Sequence, residues 1–151
     1  MKLRVFSMVL IVVMLVCTIP VNVSAAQAQE SVITFDDGSY LRITIEDVSA
    51  RATNTRTANK YLTHYNSSDE VLWEAKLTAS FTYTGTTSSC TSASCSVTVN
   101  DSAWYVVSKS ASYSGNTATA NLTMGKKFLG ITIDKPKYTI TLTCDKDGNL
   151  S

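Results

Sequence analysis

The residues of this chain that could do chemistry are one histidine, four cysteines and three short acidic clusters. Nucleophilic catalysis needs a nucleophile together with a base that takes its proton. The Gly-x-Ser-x-Gly motif of many serine hydrolases is absent from the sequence, and the single imidazole belongs to His64. A pair of Cys95 and His64 can be considered, but we interpret His64 as an ordinary strand residue. We therefore predict that the protein is not an enzyme.

The acidic clusters lie in sequence that is typical of turns. The Asp-Asp pair at 36–37 precedes Gly-Ser, and the Asp-Glu pair at 69–70 follows Asn-Ser-Ser. Paired carboxylates are the catalytic groups of glycoside hydrolases, but a tight turn offers no cleft that would keep one of them protonated. The segment 145–149 resembles a calcium loop, yet its glycine comes too early for an EF-hand and the terminal glutamate is absent. We expect turns at all three places, and neither a metal nor a cofactor.

The first 25 residues have the three parts of a secretory signal peptide. Lys2 and Arg4 form a cationic start, an almost wholly apolar run follows over 5–16, and small residues surround Ala25. This order is what the export machinery and the signal peptidase require. We therefore predict a cleaved signal peptide over 1–25.

Two alternatives to cleavage are weaker. A retained anchor would need roughly 20 apolar residues, and the apolar run is shorter than that. Lipid attachment at Cys17 would need a small residue before the cysteine, and Val16 is not small. The remaining residues, 26–151, have the length of one domain. We expect this domain to be secreted, either extracellular or associated with the cell envelope.

The charge balance argues against a nucleic-acid partner. The chain has 13 Lys and Arg residues and 12 Asp and Glu residues, so removal of Lys2 and Arg4 leaves a net charge near −1. Such a surface has no broad cationic field that would attract nucleic acid or anionic lipid. We interpret the lysines at 126–127 and 135–137 as solvated turn ends, and we predict no stable membrane insertion of the mature chain.

The elements that would position these side chains are strands and turns. Apolar residues alternate with polar ones over 71–83, which is the period of two that only a strand produces. Trp73, Phe81 and Tyr83 fall on the apolar side, so core packing explains them before a sugar-stacking platform does. Thirteen residues exceed the usual strand length, and we expect a bulge or bend partway along.

The rest of the mature sequence has the same character. We predict a hairpin of 32–35 with 40–45, an exposed connection over 49–59 and a small-residue loop over 85–94. Further strands are predicted over 95–99, 103–107, 117–124, 128–133 and 138–144. The fold class is therefore all-β, an antiparallel β-sandwich, with an immunoglobulin-like arrangement as the first choice and a barrel as the second.

Three cysteines remain in the mature part, and outside the cytoplasm thiols tend to pair. An odd number allows at most one intramolecular bond. A metal site at these cysteines would need a fourth ligand, and His64 has no ligand-like spacing to any of them. The residues alone leave the pairing open.

Several motifs of the mature part are similar to those of a group of small secreted proteins from Gram-positive bacteria (Firmicutes) that has no assigned function. They are Asp36-Asp37-Gly38, Val71-Leu72-Trp73 through Phe81-Thr82-Tyr83-Thr84-Gly85, Ser102-Ala103-Trp104, 114–120 and the ending 144–151. The resemblance implies a Cys90–Cys144 disulfide with Cys95 free, and a local Cys90–Cys95 bond is the alternative. The longer loop would stabilise the fold by about 3–4 kcal/mol.

These observations predict a secreted, non-catalytic β-sandwich protein that binds an extracellular protein or glycan, or is an accessory protein at or near the cell envelope. The first alternative is a secreted antimicrobial, bacteriocin-like effector. Against it stand the lack of net positive charge and of an amphipathic helix. The second alternative is a small secreted hydrolase, which the inventory of reactive residues disfavours.

Overall fold

The computed structural model describes residues 30–48 and 54–151, and these residues form nine β-strands and no helix. The predicted signal peptide, 1–25, lies outside the described residues. The strands are β1 Glu30–Thr34, β2 Tyr40–Asp47, β3 Thr55–Tyr65, β4 Val71–Tyr83, β5 Ser88–Val99, β6 Trp104–Ser114, β7 Thr117–Phe128, β8 Ile131–Asp134 and β9 Lys137–Thr143. In this part of the chain there is accordingly no helix able to cross a membrane.

The strands form two antiparallel sheets, as the predicted β-sandwich requires. One sheet has five strands in the order β1-β2-β3-β4-β5. The other sheet has four strands, in which β6 pairs with β7. β8 and β9 pair with different parts of β7, namely 126–128 and 117–123. Sequential strands are neighbours throughout the first sheet, whereas immunoglobulin domains interleave strands that are distant in sequence. The connectivity of the first sheet is therefore a meander.

Apolar and polar residues alternate along β4, and its apolar side faces the core between the two sheets. Trp73, Leu77 and Phe81 are fully buried, and the outward side chains between them are polar. Inward residues of β7 and β9 complete the core from the second sheet, namely Ala118, Ala120, Leu122, Met124, Ile140 and Leu142. The expected irregularity in β4 pairing is present, because Ser80 pairs with Ser92 while Phe81 pairs with Cys90.

Two segments predicted as connections are strands instead. Of the exposed connection expected over 49–59, residues 49–53 lie outside the described residues and 55–59 belong to β3. Ala58 is completely buried between β2 and β4. The loop expected over 85–94 is mostly β5. Backbone pairing, which the side chains do not reveal, determines the structure of both segments.

The predicted strand over 128–133 is interrupted by a turn. β7 ends at Phe128, and Leu129 and Gly130 have positive φ angles of 50° and 80° before β8 begins at Ile131. A two-residue loop with positive φ at both positions is the type I′ turn that joins tightly paired strands. The segment is thus a protruding β7–β8 hairpin rather than one strand.

Candidate functional site

His64 lies in a buried cluster of aromatic rings. It belongs to β3, and its backbone is the cross-strand partner of Leu41 on β2 and of Trp73 on β4. Its imidazole contacts Phe35, Trp73 and Trp104 edge-on, with ring centroids 5.7, 5.4 and 5.1 Å away. Only 5% of the residue is exposed. The aromatic side chains therefore close off the imidazole from solvent.

The imidazole has no polar partner in this cluster. Among the described residues, neither ring nitrogen of His64 has a hydrogen-bond partner. Burial lowers the pKa of His64 and Lys126 lowers it further, while the carboxylate of Asp37 opposes the shift. The ring is consequently neutral at physiological pH.

The structure does not bring Cys95 and His64 together. On β4, the cross-strand partner of His64 is Trp73 and that of Cys95 is Leu77. These two partners are four residues apart along β4, and His64 and Cys95 lie on opposite sides of this strand. Two strand spacings and four residues correspond to roughly 15 Å between the two backbones. A proton transfer between the thiol and the imidazole needs hydrogen-bond distance, so these residues do not form a nucleophile and base.

Burial of a neutral histidine predicts a pH-dependent stability. In the unfolded chain His64 takes up a proton near its ordinary pKa of about 6.5, whereas the folded protein resists protonation. The unfolded state therefore binds more protons below this pH, and stability should fall between about pH 7.5 and about pH 5. Urea midpoints at the two pH values measure this change.

The variant His64→Leu provides the control, because leucine has a similar volume and does not titrate. The decline over this range should largely disappear in the variant, and an equally steep decline would contradict the assignment to His64. The pKa of the neighbouring Asp37 is lowered from 3.8 by hydrogen bonds from Ser39, so its contribution is lost only at lower pH.

The acidic clusters form turns, as predicted. The carboxylate of Asp37 accepts hydrogen bonds from the backbone N and Oγ of Ser39. Asp69 accepts one from the hydroxyl of Tyr40. Asp145 Oδ1 accepts bonds from the backbone N of residues 147 and 149. Within 30–48 and 54–151, no three His, Cys, Asp or Glu residues are grouped so that they could hold a metal ion.

Cys90 and Cys144 lie together at the other end of the sandwich. The backbone N of Cys90 donates to the carbonyl of Gly115, and that of Cys144 donates to the carbonyl of Asn116, the next residue. Both cysteines are buried free thiols in the structure. Burial raises the pKa of the Cys90 thiol, and the adjacent Cys144 sulfur adds to this increase.

The alternative bond between Cys90 and Cys95 is incompatible with the fold. Both residues lie within the strand β5, most of which was predicted as part of a small-residue loop over 85–94. Five residues of extended strand separate their Cα atoms by roughly 15 Å. A disulfide requires a Cα separation below about 7 Å.

Sequence reasoning missed the surface of the β7–β8 hairpin. Four large apolar side chains are exposed there: Phe128, Leu129, Ile131 and Ile133. We call these four residues the apolar tip. The sequence predicted an unbroken strand of the sandwich, whose apolar residues would be expected to pack inside. The signal that could have located the turn is Gly130 at the centre of the segment.

Comparisons of the chain with protein-family models, with curated proteins and with solved structures gave no match.

Proposed function

We propose that this chain is a secreted, non-catalytic β-sandwich protein that binds a component of the cell envelope. The observation that supports binding is the apolar tip, in which four large apolar residues share one protruding hairpin instead of joining the core. Exposed apolar side chains concentrated in this way are typical of interaction sites. Secretion rests on the composition of residues 1–25.

The surroundings of the reactive side chains support a non-catalytic role. His64 is enclosed by aromatic rings, and the carboxylates of Asp37 and Asp145 accept hydrogen bonds from their own turns. Cys90 and Cys144 are buried, which keeps their thiols away from a substrate. We favour binding over hydrolysis because hydrolysis would need several such groups around one accessible point.

We further propose that Cys90 and Cys144 form a disulfide after export. The two thiols would lose two protons and two electrons to a disulfide-containing oxidant outside the cytoplasm. Their positions beside consecutive residues, Gly115 and Asn116, support this pairing. Cys95 would remain a thiol.

The proposed function predicts saturable retention of the protein on envelope material. The full chain would be expressed in a Gram-positive host, and the exported form collected and incubated with purified cell wall and with membranes. We expect retention on one of these fractions and no hydrolysis of wall polymer. Absence of retention on both fractions, or release of wall fragments, would contradict the proposal.

The matched control is the variant Tyr113→Ser. Tyr113 is a large exposed side chain on β6, close to the turn at 115–116 and remote from the apolar tip. Its replacement should leave retention unchanged, whereas Ile131→Ser in the tip should weaken it.

A further inference from the structure

We propose that the apolar tip docks the protein onto a lipid bilayer that contains anionic headgroups. This inference rests on the proposed function and names the envelope component. It differs from the protein or glycan partner that the sequence predicts. The exposed fractions are 64% for Phe128, 87% for Leu129, 70% for Ile131 and 56% for Ile133. The most exposed residue is thus also the one at the end of the hairpin.

One face of the hairpin is held against the sandwich. Lys127 and Thr132 are cross-strand partners, and the Thr132 hydroxyl lies 2.8 Å from the hydroxyl of Tyr105. The Lys127 amine lies 4.6 Å from the centre of the Tyr105 ring. That ring rests on Gly125, where even a Cβ atom would come within 2.2 Å of it. Tyr105 therefore fixes the hairpin in position.

The opposite face is directed outward as a consequence. Phe128 and Ile131 are cross-strand partners, and their side chains lie on the face opposite to Lys127 and Thr132 because side chains alternate along a strand. Ile133 lies at an irregularity in the pairing of β7 with β8 and is also exposed. A hairpin anchored on one face and apolar on the other has a fixed orientation relative to the domain. Such a tip can enter the acyl boundary of a bilayer without prior rearrangement.

Leucine is an unfavourable residue at position 129 of this turn. Its φ of 50° lies in the left-handed region, which a side chain such as leucine rarely adopts. Type I′ turns favour Asn-Gly at these two positions, and the sequence has Leu129-Gly130 instead. Turn geometry does not explain this leucine, whereas insertion of an aliphatic side chain into lipid does.

The charges around the tip have the sign that an anionic bilayer requires. The segment 126–137 contains four lysines and one aspartate, although the mature chain as a whole is near neutrality. The lysines lie on both sides of the apolar residues in sequence, at the base of the hairpin. Lys126 contacts the ring of Trp104 with its amine 5.5 Å from the ring centre. Apolar groups flanked by basic ones are typical of shallow docking at anionic interfaces.

A second copy of the chain fits this surface less well than lipid does. The four side chains expose on the order of a few hundred Å², whereas a stable protein interface buries about 1,000 Å² or more. A symmetric pair would also place the lysines of both copies near one another. Shallow insertion into a bilayer avoids both problems.

The test is co-sedimentation of the secreted protein with phosphatidylcholine vesicles that contain or lack phosphatidylglycerol. We expect binding to the anionic vesicles, and at least about tenfold weaker partitioning for Leu129→Asn. Because Asn-Gly is the favoured type I′ sequence, this variant should keep or increase thermal stability, so lost binding cannot be attributed to unfolding. Replacement of Lys135 and Lys137 by glutamine should reduce the preference for anionic lipid. Tyr113→Ser should bind like the unaltered protein.

The inference would be overturned by no binding to anionic vesicles, by equal binding to neutral and anionic vesicles, or by undiminished binding of Leu129→Asn. A dimer in light scattering that Leu129→Asn converts to a monomer would assign the tip to a second copy instead. Retention on purified cell wall without vesicle binding would refute the lipid inference and leave the proposed function in place. Lack of retention on wall, membranes and vesicles alike would refute both.

Discussion

Replacing Trp73 with alanine should lower the free energy of unfolding by about 3–5 kcal/mol. Trp73 is fully buried at the point where the two sheets meet. Its ring packs against His64, Trp104 and Tyr138, with centroids 5.4, 6.1 and 5.1 Å away. Alanine would remove the contacts of the indole and leave a cavity between the sheets that strands cannot easily close. Total stabilities of single domains are about 5–15 kcal/mol, so this loss is a large part of the whole.

Urea unfolding followed by far-ultraviolet circular dichroism is the appropriate measurement, because it does not depend on tryptophan fluorescence. The matched control is Tyr113→Ala, which removes an aromatic side chain that is 52% exposed. This change should alter stability by no more than about 0.5 kcal/mol. Equal losses for the two variants would contradict the position of Trp73 in the core.

The second large effect concerns the cysteines. The exported protein should have a single alkylatable thiol when it is unfolded without a reductant, and three after reduction. Intact mass measures both states and also identifies the first residue of the mature chain, which we predict to be Ala26. Reduction should lower stability by about 3–4 kcal/mol, because the proposed Cys90–Cys144 bond would close a long loop in the unfolded chain.

Substitutions separate this bond from ordinary packing. If the disulfide is present, Cys90→Ala, Cys144→Ala and the double variant should lose similar amounts of stability, since each breaks the same bond. Cys95→Ser should keep the bond and leave no thiol to alkylate. Additive losses for the first two variants, or three reactive thiols in the exported protein, would contradict the proposed bond.

The strands with the strongest alternation were predictable from the sequence. β4 matches its predicted bounds, and the hairpin of β1 with β2 lies at its expected place around 36–39. Each of these predictions depends on the order of apolar and polar side chains within a few residues, which local geometry converts directly into burial.

The site was less predictable, because its parts come from distant segments. His64 belongs to a sequence that looks unremarkable, and only the pairing of β3 with β4 places Trp73 beside it. Trp104 comes from the second sheet and completes the enclosure. No local pattern near residue 64 indicates that its imidazole is sealed from solvent.

The amino-acid sequence by itself determined that this chain is built of strands, because alternation of side chains over 71–83 is compatible only with a period of two. It also determined which of those residues form the core. Only the tertiary structure decided that the small residues of β5 form a strand and that Leu129 is exposed. The physical reason is that strand pairing and the coverage of a sheet face depend on contacts between residues far apart in the chain.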